Sequence, residues 1–117
     1  MNYHTILEAA RVWGEEHYPD ASAQKHGAFA NSVAYARTRA SGGYGGPSIR
    51  EHAASQAINE QWDRLQGAEI EEVYRFVAPI VYGPLTDLHR GLWPQVKGIS
   101  FDNDPADVRA LNAYGLN

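Results

Sequence analysis

Histidine is the side chain that most often carries acid–base chemistry near neutral pH or ligates a metal. Five are spread along this chain, at His4, His17, His26, His52 and His89. None stands in H-x-x-x-H or H-E-x-x-H, the spacings that bring two imidazoles to one helix face around a metal. Glu15-Glu16-His17 sets a carboxylate beside an imidazole in sequence, but adjacent helical residues do not face each other. The chain has no cysteine, which excludes a thiolate nucleophile, a thiolate metal site and a disulfide framework. No serine stands in G-x-S-x-G, and no Gly-Lys-Ser/Thr closes a phosphate-binding loop. The pattern predicts no catalytic residues, no metal and no cofactor. A non-enzymatic protein is the first expectation, and a small-molecule enzyme ranks third.

The side chains suited to recognition cluster better. From Ala21 to Arg50 the chain has Lys25, Arg37, Arg39 and Arg50 and no carboxylate. Within it, Ser41-Gly42-Gly43-Tyr44-Gly45-Gly46-Pro47 is a glycine-rich loop with one aromatic at its centre. Exposed Tyr beside Arg is the composition of interface hot spots and of base-stacking positions. Arg37, Arg39, Tyr44 and Arg50 are therefore the expected partner-binding residues, with Trp93, between Leu92 and Pro94, as a second contact point. The same residues have plainer uses. Arg37 and Arg39 suit the negative end of a helix, Tyr44 can fold back on its neighbours, and the loop can simply join two helices. Glycine backbone followed by a helix start beside Arg50 also matches an anion site.

Hydrophobic spacing supplies the elements that would hold these residues. A first helix is expected from about Thr5 to Tyr18, opened by the capping box Thr5-Ile6-Leu7-Glu8. Ile6, Ala9, Ala10, Trp13 and His17 lie on one face of it, Pro19 stops it, and Gly14 weakens it. A second is expected between Ser22 and Ala40, with Phe29, Val33, Ala36 and Ala40 as its stripe. A third runs from Ser48 to Gln66. It has Ser48-Ile49-Arg50-Glu51 as capping box, Ala54, Ile58, Trp62 and Leu65 on its core face, and Gly67 as its stop. A fourth starts near Ala68 with Glu69, Glu71 and Glu72 in its first turn, and buries Ile70, Val73, Tyr74, Val77 and Val81. Pro79 is expected to kink or end it, with Ile80-Val81-Tyr82 as a short strand in the alternative. Beyond lie a short helical candidate at Leu85–Leu92, an extended candidate at 98–101, and a last helix announced by Asp104-Pro105-Ala106-Asp107. The expected fold is an all-α single domain spanning 1–117, built from five or six short helices.

At 117 residues, 44% hydrophobic and 21% charged, the chain has the composition of a globular domain. The N-terminus lacks the basic and apolar regions of a signal peptide, and no window is long and apolar enough to span a bilayer. A soluble, cytoplasmic protein without membrane contact is the expectation. The net charge of −4 opposes bulk binding to a polyanion, while the carboxylate-free segment leaves room for a local phosphate contact.

Tyr35-Ala36-Arg37-Thr38-Arg39-Ala40, followed by Gly42-Gly43-Tyr44-Gly45-Gly46-Pro47-Ser48, resembles the aromatic, Arg, glycine-rich, Tyr and Ser segment of small phage late-gene antitermination proteins of the Q type. In that comparison Ile70–Val77 takes the place of the helix leading into their sigma-like DNA-binding portion. The resemblance covers about a third of the chain. The stretch after Pro79 is acidic and carries no basic helix-turn-helix, so no functional residue is transferred. It implies a phage-encoded regulatory or inhibitory protein that binds another macromolecule, in transcription or host-defence machinery. A protein partner is expected first, and sequence-selective nucleic-acid binding through residues 21–50 is the alternative.

Overall fold

The computed structural model describes residues 2–39 and 49–85. These form five helices and no strand, an all-α arrangement. The expectations placed on Tyr44, on the Ser48 capping box, on Trp93 and on everything after Leu85 lie outside the described residues.

Helix α1 spans Tyr3–His17. Its cap is Asn2 rather than Thr5: the Asn2 side chain accepts from the Thr5 N–H at 2.9 Å. The helix therefore opens three residues earlier than the Thr5 capping box predicts, with Thr5 already in the first turn. Ile6, Ala10 and Gly14 form its buried line, and Tyr18 closes it by donating its N–H to the Gly14 carbonyl at 2.8 Å.

Helix α2 spans Ala23–Thr38 and is capped by Ser22, whose hydroxyl accepts from the Lys25 N–H. Every residue from Lys25 to Ala34 is buried, so α2 is the central helix and not the one-sided element its Phe29/Val33/Ala36 stripe predicts. Ala28, Ala30, Ala34 and Ala36 explain this. Small side chains carry no polar group to hydrate and let neighbours approach on several sides.

The expected third helix is two. Helix α3 spans Ile49–Glu60, Gln61 makes a turn, and α4 spans Trp62–Gln66. The break lets α4 dock on the end of α2. The Gln66 side-chain amide donates to the Ala36 carbonyl, and Arg37 donates to the carbonyls of Leu65 and Gln66 at 3.2 and 3.1 Å and to that of Ala68. Ile58 and Leu65 are fully buried as expected, but Trp62 is only half-buried.

Helix α5 spans Ile70–Tyr82 and buries Val73, Tyr74, Val77 and Val81 with Ala78, close to the predicted stripe. It runs through Pro79, so Ile80-Val81-Tyr82 is helical and the strand alternative is set aside. Pro79 sits on the exposed face one turn after exposed Arg75, where water can solvate the carbonyl that proline leaves without its helical donor. Arg50 then satisfies the end of the helix by donating to the carbonyls of Val81 and Gly83.

Around Phe29 the aromatic side chains of three helices meet. Trp13 stacks on Phe29 at 5.4 Å between centroids and lies 5.1 Å from Tyr74, while Tyr82 lies 5.2 Å from Phe29. Ring contacts of this kind add roughly 0.5–1.5 kcal/mol each beyond area burial.

Candidate functional site

The five residues expected to meet a partner have different fates. Arg50 is 5% exposed, and its guanidinium is engaged by the Val81 carbonyl at 2.9 Å and by the Gly83 carbonyl. That corrects the expectation of a partner-facing Arg50. A planar fork with several N–H donors is the group best able to cap two carbonyls at once. Arg37 is half-buried, and its donors tie α2 to the α4–α5 corner. Tyr44 and Trp93 lie outside the described residues.

Arg39 is exposed at the end of α2. It caps α2 with φ 61° and ψ 9°, the left-handed region, and donates its N–H to the Tyr35 carbonyl at 2.8 Å. It is the single non-glycine residue with positive φ among those described. Helix caps in this conformation are usually Gly, because a Cβ there costs roughly 1–2 kcal/mol. The exposed Arg39 side chain lies across Trp62, with its guanidinium carbon 3.8 Å from the ring centroid. Trp62 in turn meets Tyr35 edge-on at 6.1 Å, and the Tyr35 hydroxyl donates to Asn59 Oδ1 at 2.8 Å. The short helix α4 also carries Arg64, whose guanidinium sits 5.4 Å from the Phe76 ring centroid and 3.7 Å from a Glu72 carboxylate oxygen. The helix thus takes part in two separate cation–aromatic pairs, and a Glu72 carboxylate lies beside the second.

The sequence gives no warning of Trp62 in this role. Its place on the Ala54/Ile58/Leu65 stripe assumes an unbroken helix, and the turn at Gln61 moves it outward.

A second polar region lies at the other end of α2. The Tyr82 hydroxyl is 2.7 Å from His26 Nδ1, and the Tyr82 ring stacks on Tyr18 at 4.1 Å. Burial first, then the neighbouring Tyr18 and Glu15, push the Tyr82 phenol well above its ordinary range, with Arg11 opposing. The phenol therefore keeps its proton within hydrogen-bond distance of His26 Nδ1. Gly14 makes the geometry feasible, since a Cβ there would run into the Tyr82 hydroxyl. That glycine is the one trace of the arrangement in the sequence, where it reads as a defect in a helix. Beside the pair is a cavity of about 330 Å³ bounded by His17, Tyr18, Asp20, Ala21, Lys25 and Tyr82. The His17 ring stacks on Trp13 at 3.9 Å and its Nδ1 lies 2.8 Å from the Trp13 carbonyl.

Glu51 is the most perturbed carboxyl among the described residues. Burial pushes it up from 4.5 to about 7, and its charge in turn adds to the burial that raises Tyr3. Among the described residues no group of three or more His, Asp or Glu side chains is placed to hold a metal. None of the helices among them is long and apolar enough to cross a membrane.

No protein-family model matches the chain, and comparison with curated proteins and with solved structures returns no match.

Proposed function

We propose that this is a non-enzymatic binding protein that regulates or inhibits another macromolecule, with a protein as its partner. The surface of Arg39, Trp62 and Arg64 is its recognition face. One observation carries the reading. Arg39 occupies a backbone position that glycine fills at no steric cost, and its stack on Trp62 returns only part of the cost a Cβ incurs there. Residues held against backbone preference concentrate at binding sites. Trp, Tyr and Arg are also the residue types that dominate interface energetics. The Glu72 carboxylate beside Arg64 weighs against a polyanionic partner, because it repels phosphate where the arginine would neutralise it. The partner class, transcription or host-defence machinery, and a phage origin enter on the resemblance of residues 35–48 alone.

The test uses Arg39→Gly, which removes the side chain while favouring the backbone. A partner captured from lysate on the immobilised protein is identified by mass spectrometry, and its affinity is measured for the wild type, Arg39→Gly and Arg64→Gln. Losses of tenfold or more, about 1.4 kcal/mol, with unchanged melting temperature, are expected for Arg39→Gly. Wild-type affinity in both variants overturns the proposal. An affinity that falls by orders of magnitude with modest added salt would move the reading to nucleic acid.

A further inference from the structure

Four arginines show what guanidinium donors do elsewhere in this fold. Arg37 and Arg50 give theirs to backbone carbonyls at helix ends, and Arg75 donates to Glu71 at 2.8 Å. Arg64 donates from Nε to the Gln61 side chain at 3.1 Å and pairs with Glu72 at 3.7 Å. Arg39 is different. Its backbone N–H bonds the Tyr35 carbonyl and its side chain meets the Trp62 ring, but among the described residues no hydrogen bond or ion pair engages its guanidinium. Resting on the reading of this face as the recognition face, we infer that Arg39 receives one aspartate or glutamate side chain of the protein partner, the carboxylate bridging two guanidinium N–H groups.

Rigidity is the first support. Exposed ion pairs are weak partly because two long side chains must be ordered to make them. Here the fold has already ordered one of them. The left-handed backbone of Arg39 is fixed by its N–H bond to Tyr35 at 2.8 Å. The Trp62 ring, 3.8 Å from the guanidinium carbon, is half-buried and meets Tyr35 edge-on, and the Tyr35 hydroxyl is bonded to Asn59. A ring over the face of a guanidinium leaves its in-plane N–H donors uncommitted. A group held in this way loses less freedom on pairing than one on a mobile stem.

Shape and charge choose the anion. A carboxylate is planar and offers two oxygens to the arginine fork, the geometry of the strong bidentate pair. Among the described residues no carboxylate lies within ion-pair distance of Arg39 to compete for it. Arg64, the arginine of α4, already has Glu72, so a polyanion would find one uncommitted guanidinium there rather than a row of them. The net charge of −4 also opposes a heavily charged partner surface. A lone carboxylate brings a single charge, and exposed charges beyond about 8 Å are largely screened at physiological salt.

The experiment pans the full chain against a phage-displayed library of random linear peptides, joined to the coat protein by their C-termini so that side chains alone supply carboxylates. Clones that bind the wild type but not Arg39→Gln are made as C-terminally amidated peptides, and their affinities are measured by calorimetry. In each, one Asp or Glu changed to Asn or Gln should weaken binding to the wild type by about tenfold. The same peptide change should cost less than about threefold in Arg39→Gln, where the pairing group is already gone. Arg39→Lys should also bind about tenfold more weakly, because it keeps the charge and loses the fork. Clones that depend on Arg39 but need no carboxylate overturn this inference and leave the recognition face standing. Absence of any clone that depends on Arg39 overturns both. Wild-type affinity in Arg39→Lys overturns the two-pronged contact, and an oligothymidylate that displaces the peptides at concentrations below their own Kd overturns the carboxylate in favour of phosphate. Should Arg39→Gln not fold, Arg39→Gly, which suits the left-handed backbone, takes its place throughout.

Discussion

Replacing Arg39 separates what its backbone needs from what its side chain does. With φ at 61°, any residue bearing a Cβ carries a left-handed penalty of roughly 1–2 kcal/mol. The guanidinium 3.8 Å over Trp62 returns roughly 0.5–1 kcal/mol at an exposed position. Arg39→Ala keeps the penalty and loses the stack, so it should destabilise by about 0.5–1 kcal/mol. Arg39→Gly loses the same stack but escapes the penalty, at the cost of roughly 0.5–1 kcal/mol from the greater freedom of glycine in the unfolded chain. Its stability should fall within about 1 kcal/mol of the wild type and exceed that of Arg39→Ala by about 0.5–1 kcal/mol. Urea denaturation of the three proteins, with equal m-values, measures the order directly. An alanine variant as stable as the glycine variant, or more so, would show that the residue is not left-handed. The argument that Arg39 is kept for its side chain would then fail with it.

Three further outcomes follow from the packing. Gly14→Ala should destabilise despite a helix-propensity gain of about 1 kcal/mol, since overpacking against the Tyr82 hydroxyl typically costs about 1–3 kcal/mol. Tyr82→Phe in the same chain should recover part of that loss in a denaturation series. Arg50→Met should cost about 2–4 kcal/mol by leaving the Val81 and Gly83 carbonyls without their buried donor, at about 1–3 kcal/mol per group; an unchanged midpoint would show that water replaces the guanidinium. Glu51, raised from 4.5 to about 7 by burial, binds its proton more tightly in the folded chain than in the unfolded one. Its contribution is therefore fully present below about pH 4.5 and is lost as pH rises through about 7. After allowance for solvent screening it amounts to about 2 kcal/mol. Comparing the stability of wild type and Glu51→Gln across that window checks the sign, because only the wild type should lose this increment on going to pH 8.

The helices were legible where the signal is local. Pro19 ends α1, and the Val73/Tyr74/Val77/Val81 spacing marks the buried face of α5. The failures share one cause, which is a partner far away in sequence. Nothing near Gln61 in sequence asks for a turn. The reason lies 24 or more residues back, in the α2 carbonyl and guanidinium that take hold of Gln66 and its neighbours. Likewise Pro79 reads as a stop until Arg50, 31 residues before Val81, is found capping the turn beyond it.

Those distant contacts also sort the arginines. A basic segment read as one surface divides by what each guanidinium meets. Arg37 and Arg50 meet backbone carbonyls and hold helix ends together, while Arg39 meets an aromatic face at the surface. Arg37 also creates the Arg39 site, because its hold on Leu65, Gln66 and Ala68 seats α4 where Trp62 comes under Arg39. The arginine that seats α4 and the arginine that stacks on Trp62 are therefore coupled. Arg37→Ala should disturb the Arg39–Trp62 stack without touching either residue. Tryptophan fluorescence should then change in the wild-type background but much less in one already carrying Trp62→Phe. An equal change in both backgrounds would place the signal at another tryptophan and break the link between α4 docking and the Arg39–Trp62 stack.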